Sequence, residues 1–171
     1  MPSTTGRRGG LSIKGSTELL LYGLLLINLT LHRLYGFPNL STALLLLPLA
    51  FLPSERFGLR SRWNVNLLLL PFLYILYPQG FFSLALQAFA EELFFRAYLM
   101  QRFSNLAVSA LFALPHIILY TDIWSVLTFF PSLFYGYVYQ KTGSLGFAFL
   151  LHLASNVLWL SFLIPYVHGG H

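Results

Sequence analysis

Six polar side chains stand inside long apolar runs: Glu91, Glu92, Arg96, His116, His152 and Asn156. A carboxylate or guanidinium in hydrocarbon is expensive, so such residues face a bundle interior or a wet cavity and usually carry function. Counted from the near end of each run, Glu91 is 11 residues from Arg102 and His116 is 11 from Asn105, while His152 and Asn156 are 8 and 12 from Ser144. At about 1.5 Å per helical residue they share a depth of roughly 12–18 Å. Unrelated structural groups have no reason to share a level, whereas a common site gives them one.

Spacing separates the roles. Glu92 and Arg96 are four apart, so they stack on one helix face and pair. Glu91 is turned about 100° from Glu92 and is free to face a cavity. His152 and Asn156, and likewise Phe112 and His116, are again four apart, and Pro115 leaves one backbone carbonyl without its helical donor. A buried carboxylate can accept a proton from water and return it to a leaving amine, and His116 can share that water. His152 and Asn156 are suited to hold an oxyanion, each such donor being worth about 10²–10³ in rate. Phe112 reads as a packing wall. The set suffices for peptide hydrolysis without a thiol, since the chain has no cysteine, and without a Gly-x-Ser-x-Gly elbow. Glu91, His116 and His152 are also the ligand types of a catalytic zinc centre, although they sit on three separate segments without a His-Glu-x-x-His pair. Both readings stay open at this point.

The elements that must position these residues are helices of an unusually apolar chain. Of 171 residues, 57% are hydrophobic and 9% charged, with a mean hydropathy of +0.70. A soluble domain carries about a quarter charged residues and could not hide this much apolar surface. Disorder and a disulfide scaffold are excluded by the same composition. The expected class is an all-α, multi-pass transmembrane helical bundle. Its apolar runs are Ser16–Tyr35, Leu40–Pro53, Val65–Tyr77, Gly80–Met100, Leu106–Tyr120, Ile123–Tyr139 and Leu145–Val167. The second, third and fifth fall short of the roughly 17–25 residues of a spanning helix.

Charge placement argues that the short runs cross as well. The net charge of +5 is not gathered on a nucleic-acid-binding face but sits at the ends of the apolar runs. If all seven runs cross, Arg7, Arg8, Lys14, Arg56, Arg60, Arg62, Arg102 and Lys141 share one side and Arg33 lies on the other. That is the positive-inside pattern of a cell-membrane protein with a cytoplasmic N-terminus and about seven spans, six to eight being the range. Prolines 48, 71, 115 and 131 should loosen the helices that hold them. No removable signal peptide is expected. The chain divides into a flexible N-terminus (1–15), N-terminal transmembrane helices (16–78), a catalytic core (79–167) and a tail (168–171).

Glu91-Glu92-x-x-x-Arg96, Phe112-x-x-x-His116 and His152-x-x-x-Asn156, in this order on successive hydrophobic segments, resemble the CPBP family of intramembrane endopeptidases, the Rce1-like or Abi-type CAAX prenyl proteases. The motifs span roughly residues 80–160. The resemblance implies that Glu91 and His116 activate water, that His152 and Asn156 stabilise the oxyanion, and that Glu92 and Arg96 form a supporting ion pair. It also favours a metal-independent glutamate mechanism over the zinc alternative.

The expected function is therefore an intramembrane glutamic endopeptidase without a cofactor, surrounded by membrane lipid. It would act on a membrane-tethered peptide or protein, either a lipidated C-terminus or a transmembrane sorting or leader segment. A proton-coupled transporter and a non-catalytic immunity factor are the alternatives from other classes. The outer halves of the fourth and fifth runs hold mainly Phe81, Phe82, Leu84, Ile117, Ile118 and Leu119. That apolar stretch predicts a dead end rather than a transport path, with the cavity reached from the cytoplasmic side.

Overall fold

The computed structural model describes residues 16–58 and 61–163. The N-terminus and tail expected over 1–15 and 168–171 lie outside the described residues. Those described form seven helical rods and no strand. We label them α1 (Ser16–Tyr35), α2 (Ser41–Ala50), α3 (Arg62–Leu76), α4 (81–101), α5 (Asn105–Tyr120), α6 (123–142) and α7 (145–163). Each coincides with one of the seven apolar runs, with ends displaced by a few residues.

Local chemistry sets the boundaries. Ser104 caps α5 by accepting from the Ala107 N–H at 3.2 Å, Asp122 caps α6 through the Ser125 N–H at 2.7 Å, and Ser144 caps α7 through the Phe147 N–H at 3.0 Å. Such caps satisfy amide donors that have no partner inside the helix. Pro48 stands where α2 passes from α-helical to 3-10 bonding, and Pro71 where α3 passes from 3-10 to α-helical bonding, so each missing N–H falls at a change of helical type. Pro115 lies inside α5. The Leu111 carbonyl, which would have bonded residue 115, instead accepts from the Tyr22 hydroxyl at 2.7 Å. Pro131 likewise cannot donate back to Leu127, and α6 is irregular at Thr128 just before it.

Packing closes a ring. α1 contacts α2 and α5, α2 contacts α4, α4 contacts α7, α7 contacts α6, and α6 returns to α5, while α3 lies outside against α7. The short connections 102–104, 121–122 and 143–144 make successive helices antiparallel. One end of the bundle therefore carries the α1–α2, α3–α4 and α5–α6 turns. The other end, which we call the basic end, carries Arg62, Arg102 and Lys141.

Residue distribution is inverted relative to a soluble protein. Glu92 and Arg96 are fully buried at 0% exposure, whereas Leu20, Phe72, Ile75, Phe82, Ile123 and Phe130 lie on the outside. Only Leu145–Phe162, among the described residues, is both long and apolar enough to cross a membrane by itself; Ser41–Ala50, Arg62–Leu76 and Asn105–Tyr120 are apolar but shorter. α4 has the length but holds Glu91, Glu92 and Arg96.

The basic end is locked by polar contacts between distant segments. Asn64 donates to the Gly58 carbonyl at 3.0 Å and accepts from the Ser144 hydroxyl at 2.6 Å, and Ser61 donates to the Thr142 carbonyl at 3.1 Å. Gly58 has φ +60°, and a Cβ there would stand 1.8 Å from the Gly143 carbonyl oxygen. Gly58→Ala is therefore expected to destabilise the protein by about 1–3 kcal/mol, from left-handed strain and displaced backbone. A thermal melt in detergent checks this; an unchanged midpoint would mean that the two segments do not meet.

Candidate active site

α4 carries the acidic pair at a change of helical type. Phe81–Glu92 is α-helical, Leu93–Tyr98 widens into i→i+5 bonding, and Leu99–Gln101 tightens to a 3-10 turn. Wide turns of this kind are frequent at functional sites. Here the widening starts directly after Glu92 and places Arg96 where three helices meet.

Arg96 donates from Nε to Glu92 Oε2 at 2.9 Å and from an Nη to the Ser132 hydroxyl of α6 at 2.8 Å. Its guanidinium carbon lies 5.6 Å from the centre of the Phe112 ring of α5. The other Glu92 oxygen is 3.0 Å from His152 Nδ1 on α7. A carboxylate of this kind only accepts, so His152 donates from Nδ1. The His152 ring stacks on Tyr135 with centroids 5.1 Å apart and an 18° tilt, and it meets Phe112 edge-on at 5.6 Å. Its position and rotation are thereby fixed, and Nε2 is left 3.7 Å from Glu91 Oε2.

Glu91 is held from the other side. Gln87, one turn earlier on α4, donates to Glu91 Oε1 at 2.6 Å, and the Thr42 hydroxyl of α2 donates to the Gln87 side-chain oxygen. With its oxygen occupied as an acceptor, Gln87 is oriented to present its amide N–H to the carboxylate. His116 Nδ1 lies 2.9 Å from the Phe112 carbonyl, and its ring stacks on Phe112 at 4.8 Å. A carbonyl cannot donate, so the Nδ1 proton is fixed there and the neutral ring keeps Nε2 as an acceptor.

These groups line two adjoining cavities. The larger, about 580 Å³, lies between α4, α5, α6 and α7 and is lined by Glu91, His116, Tyr135, His152 and Asn156 among others. The smaller, about 270 Å³, lies between α1, α2, α4 and α5 and includes Asn39, Ser41 and Thr42. Gln87, Glu91, His116 and Tyr120 line both. Both cavities run from mid-depth towards the end away from the basic residues. Access from the basic end, expected from the apolar outer halves of α4 and α5, is thus corrected: Asn39 of the α1–α2 turn, Ser41 and Thr42 of α2, Ser125 and Thr128 of α6 and Ser155 and Asn156 of α7 supply the polar lining that those two halves lack. Among the described residues, no three His, Cys, Asp or Glu side chains are placed to hold a metal ion.

All the residues singled out by spacing converge here. Glu91, His116, His152, Asn156 and Phe112 line the larger cavity, with Glu92 and Arg96 buried behind His152. Spacing alone did not disclose that Glu92 binds His152 as well as Arg96. Gln87, Thr42, Ser132 and Tyr135 went unnoticed. Gln87 had a readable signal, an amide one helical turn before Glu91 in an apolar run, whereas the other three become visible only when the helices pack.

Gln87 carries its own prediction. Gln87→Leu removes a hydrogen bond to a charged group worth about 1.5–3 kcal/mol. It should lower kcat about 10–100-fold with little change in KM, and Gln87→Asn should recover less than half of the loss in log units. An unchanged kcat would show that Glu91 needs no such restraint.

The fold and its cavity define a helical-bundle protein with carboxylate and imidazole groups gathered on a buried cavity. The sequence profile of the Rce1-like type II CAAX prenyl endopeptidases matches residues 66–158, just over half of the chain, and takes in every side chain named in this site except Asn39, Ser41 and Thr42. The chain belongs to that family, whose members are membrane-embedded peptidases. No curated protein and no solved structure gives a significant match.

Proposed function

We propose that this protein is a multi-pass intramembrane glutamic endopeptidase that hydrolyses a membrane-tethered peptide through water activated by Glu91 and His116. The observation that carries the reading is the meeting of Glu91 and His152, 3.7 Å apart, on one open cavity with His116 and Asn156. The apolar exterior supports the spanning arrangement: exposed side chains such as Leu20, Phe72 and Phe82 suit lipid, and buried ionised groups suit a bundle interior.

In the proposed step, water in the cavity attacks the scissile carbonyl carbon as Glu91 takes its proton, with the Nε2 acceptor of His116 holding the water in line. His152 Nε2 and the Asn156 amide face the developing oxyanion. With Nδ1 of His152 bound to Glu92, its other ring nitrogen is the one turned to the cavity beside Glu91. The tetrahedral intermediate collapses as the C–N bond breaks and Glu91 returns the proton to the leaving amine. Glu92 and Arg96 act through His152 by fixing its ring, as an orienting carboxylate does for a catalytic imidazole.

Direct attack by water without a metal has a distinct signature. Purified protein in proteoliposomes, given a panel of farnesylated C-terminal peptides and transmembrane leader peptides in H2(18)O, should place one heavy oxygen in the new carboxylate in a single turnover. Activity should survive a strong chelator, and elemental analysis should find no stoichiometric zinc. Loss of activity with the chelator and recovery with zinc would overturn the metal-independent mechanism.

A further inference from the structure

Tyr135 of α6 is only 3% exposed, yet it lines the larger cavity together with His152, Ser155 and Asn156 of α7. Those three α7 residues are spaced i, i+3 and i+4 and so share one helix face. The Tyr135 ring lies flat against His152, and its hydroxyl reaches past that ring to a hydrogen bond with Ser155. The hydroxyl therefore stands one turn along α7 from His152, at the level of Asn156. A neighbouring bond fixes which group donates. Ser155 spends its own proton on the Leu151 carbonyl at 2.9 Å, so Ser155 accepts and Tyr135 donates.

A His152 ring whose Nδ1 proton is spent on Glu92 carries an N–H at Nε2 only while it is charged. The phenol is a donor that needs no charge. We infer that the Tyr135 hydroxyl is a further oxyanion donor of the proposed hydrolysis, acting beside Asn156 where α6 faces α7. This rests on the peptidase reading above. While a bound peptide is unreacted, its neutral carbonyl offers the phenol little over the bond already made to Ser155. As charge develops, the oxyanion becomes the better acceptor, charge-assisted hydrogen bonds being about twice as strong as neutral ones. The O–H then turns about its C–O bond from Ser155 to the oxyanion and returns when the intermediate collapses, with no covalent bond made or broken on the tyrosine. An interaction gained only in the transition state raises kcat and leaves KM alone.

Tyr135→Phe removes the hydroxyl and keeps the ring that braces His152. In proteoliposomes, with the farnesylated or leader peptide that the parent cleaves fastest, this variant should lower kcat about 10–100-fold. Its KM should stay within about twofold, and its melting temperature within about 2 °C of the parent's. Ser155→Ala breaks the same hydrogen bond but keeps the phenol, so its kcat should stay at least about tenfold above that of Tyr135→Phe. A phosphinate analogue of the peptide, whose charged tetrahedral group stands for the oxyanion, should bind Tyr135→Phe at least about tenfold more weakly than the parent. Equal kcat losses in the two variants would mean that the bond only braces α6 against α7. That result, an unchanged kcat in Tyr135→Phe, or a loss confined to KM would overturn the inference while leaving the peptidase reading in place. A parent that cleaves no peptide of the panel would overturn both.

Discussion

Arg96→Met is expected to cost about 3–5 kcal/mol of stability, the range for removing one partner of a buried ion pair. The reason lies in what remains. Glu92 and Arg96 are both fully buried and bonded at 2.9 Å, and Glu92 in turn holds His152 at 3.0 Å. Without the guanidinium, the Glu92 carboxylate keeps a single partner in an apolar interior, and the Ser132 hydroxyl loses its donor. The double variant Glu92→Leu/Arg96→Met should recover part of the loss, because an apolar pair leaves no charge stranded. Denaturation in mixed micelles at graded detergent fraction checks both. A single-variant loss below about 1 kcal/mol would contradict the geometry of the pair.

A second substitution at the same position separates structure from chemistry. Arg96→Lys keeps the charge but not the fork that reaches Glu92 and Ser132 together. Its stability should fall between those of the parent and Arg96→Met, and its activity should track how well His152 is still held rather than the net charge alone.

The helices were legible because an apolar run of the right length leaves its backbone few alternatives, and serine or aspartate caps such as Ser104, Asp122 and Ser144 mark where each begins. The convergence of Glu91, His116, His152 and Asn156 was legible because depth along a helix follows from residue count, and one cavity does collect them. What lay beyond the sequence was lateral. Spacing on α4 pairs Glu92 with Arg96, but only the contact between α4 and α7 reveals that Glu92 also grips His152. Reading α4 and α5 alone made the outer half look closed by Phe81, Phe82 and Ile117. The cavity walls there come instead from Asn39, Ser41 and Thr42 on one side and Ser125 and Thr128 on the other. The widened turn at Leu93–Tyr98 has no signature in the sequence that we recognise.

Glu91→Gln tests the account at its centre. The amide is nearly isosteric, can still meet Gln87 and His152, and cannot accept a proton from water. The variant should retain the melting temperature of the parent in detergent to within about 2 °C, since a neutral isostere at this site removes no packing. Its cleavage of a membrane-tethered peptide should fall by at least about 10³-fold, on the order expected when a general base is lost from a preorganised site. Full activity in a folded Glu91→Gln protein would contradict the assignment of Glu91 as the group that activates water.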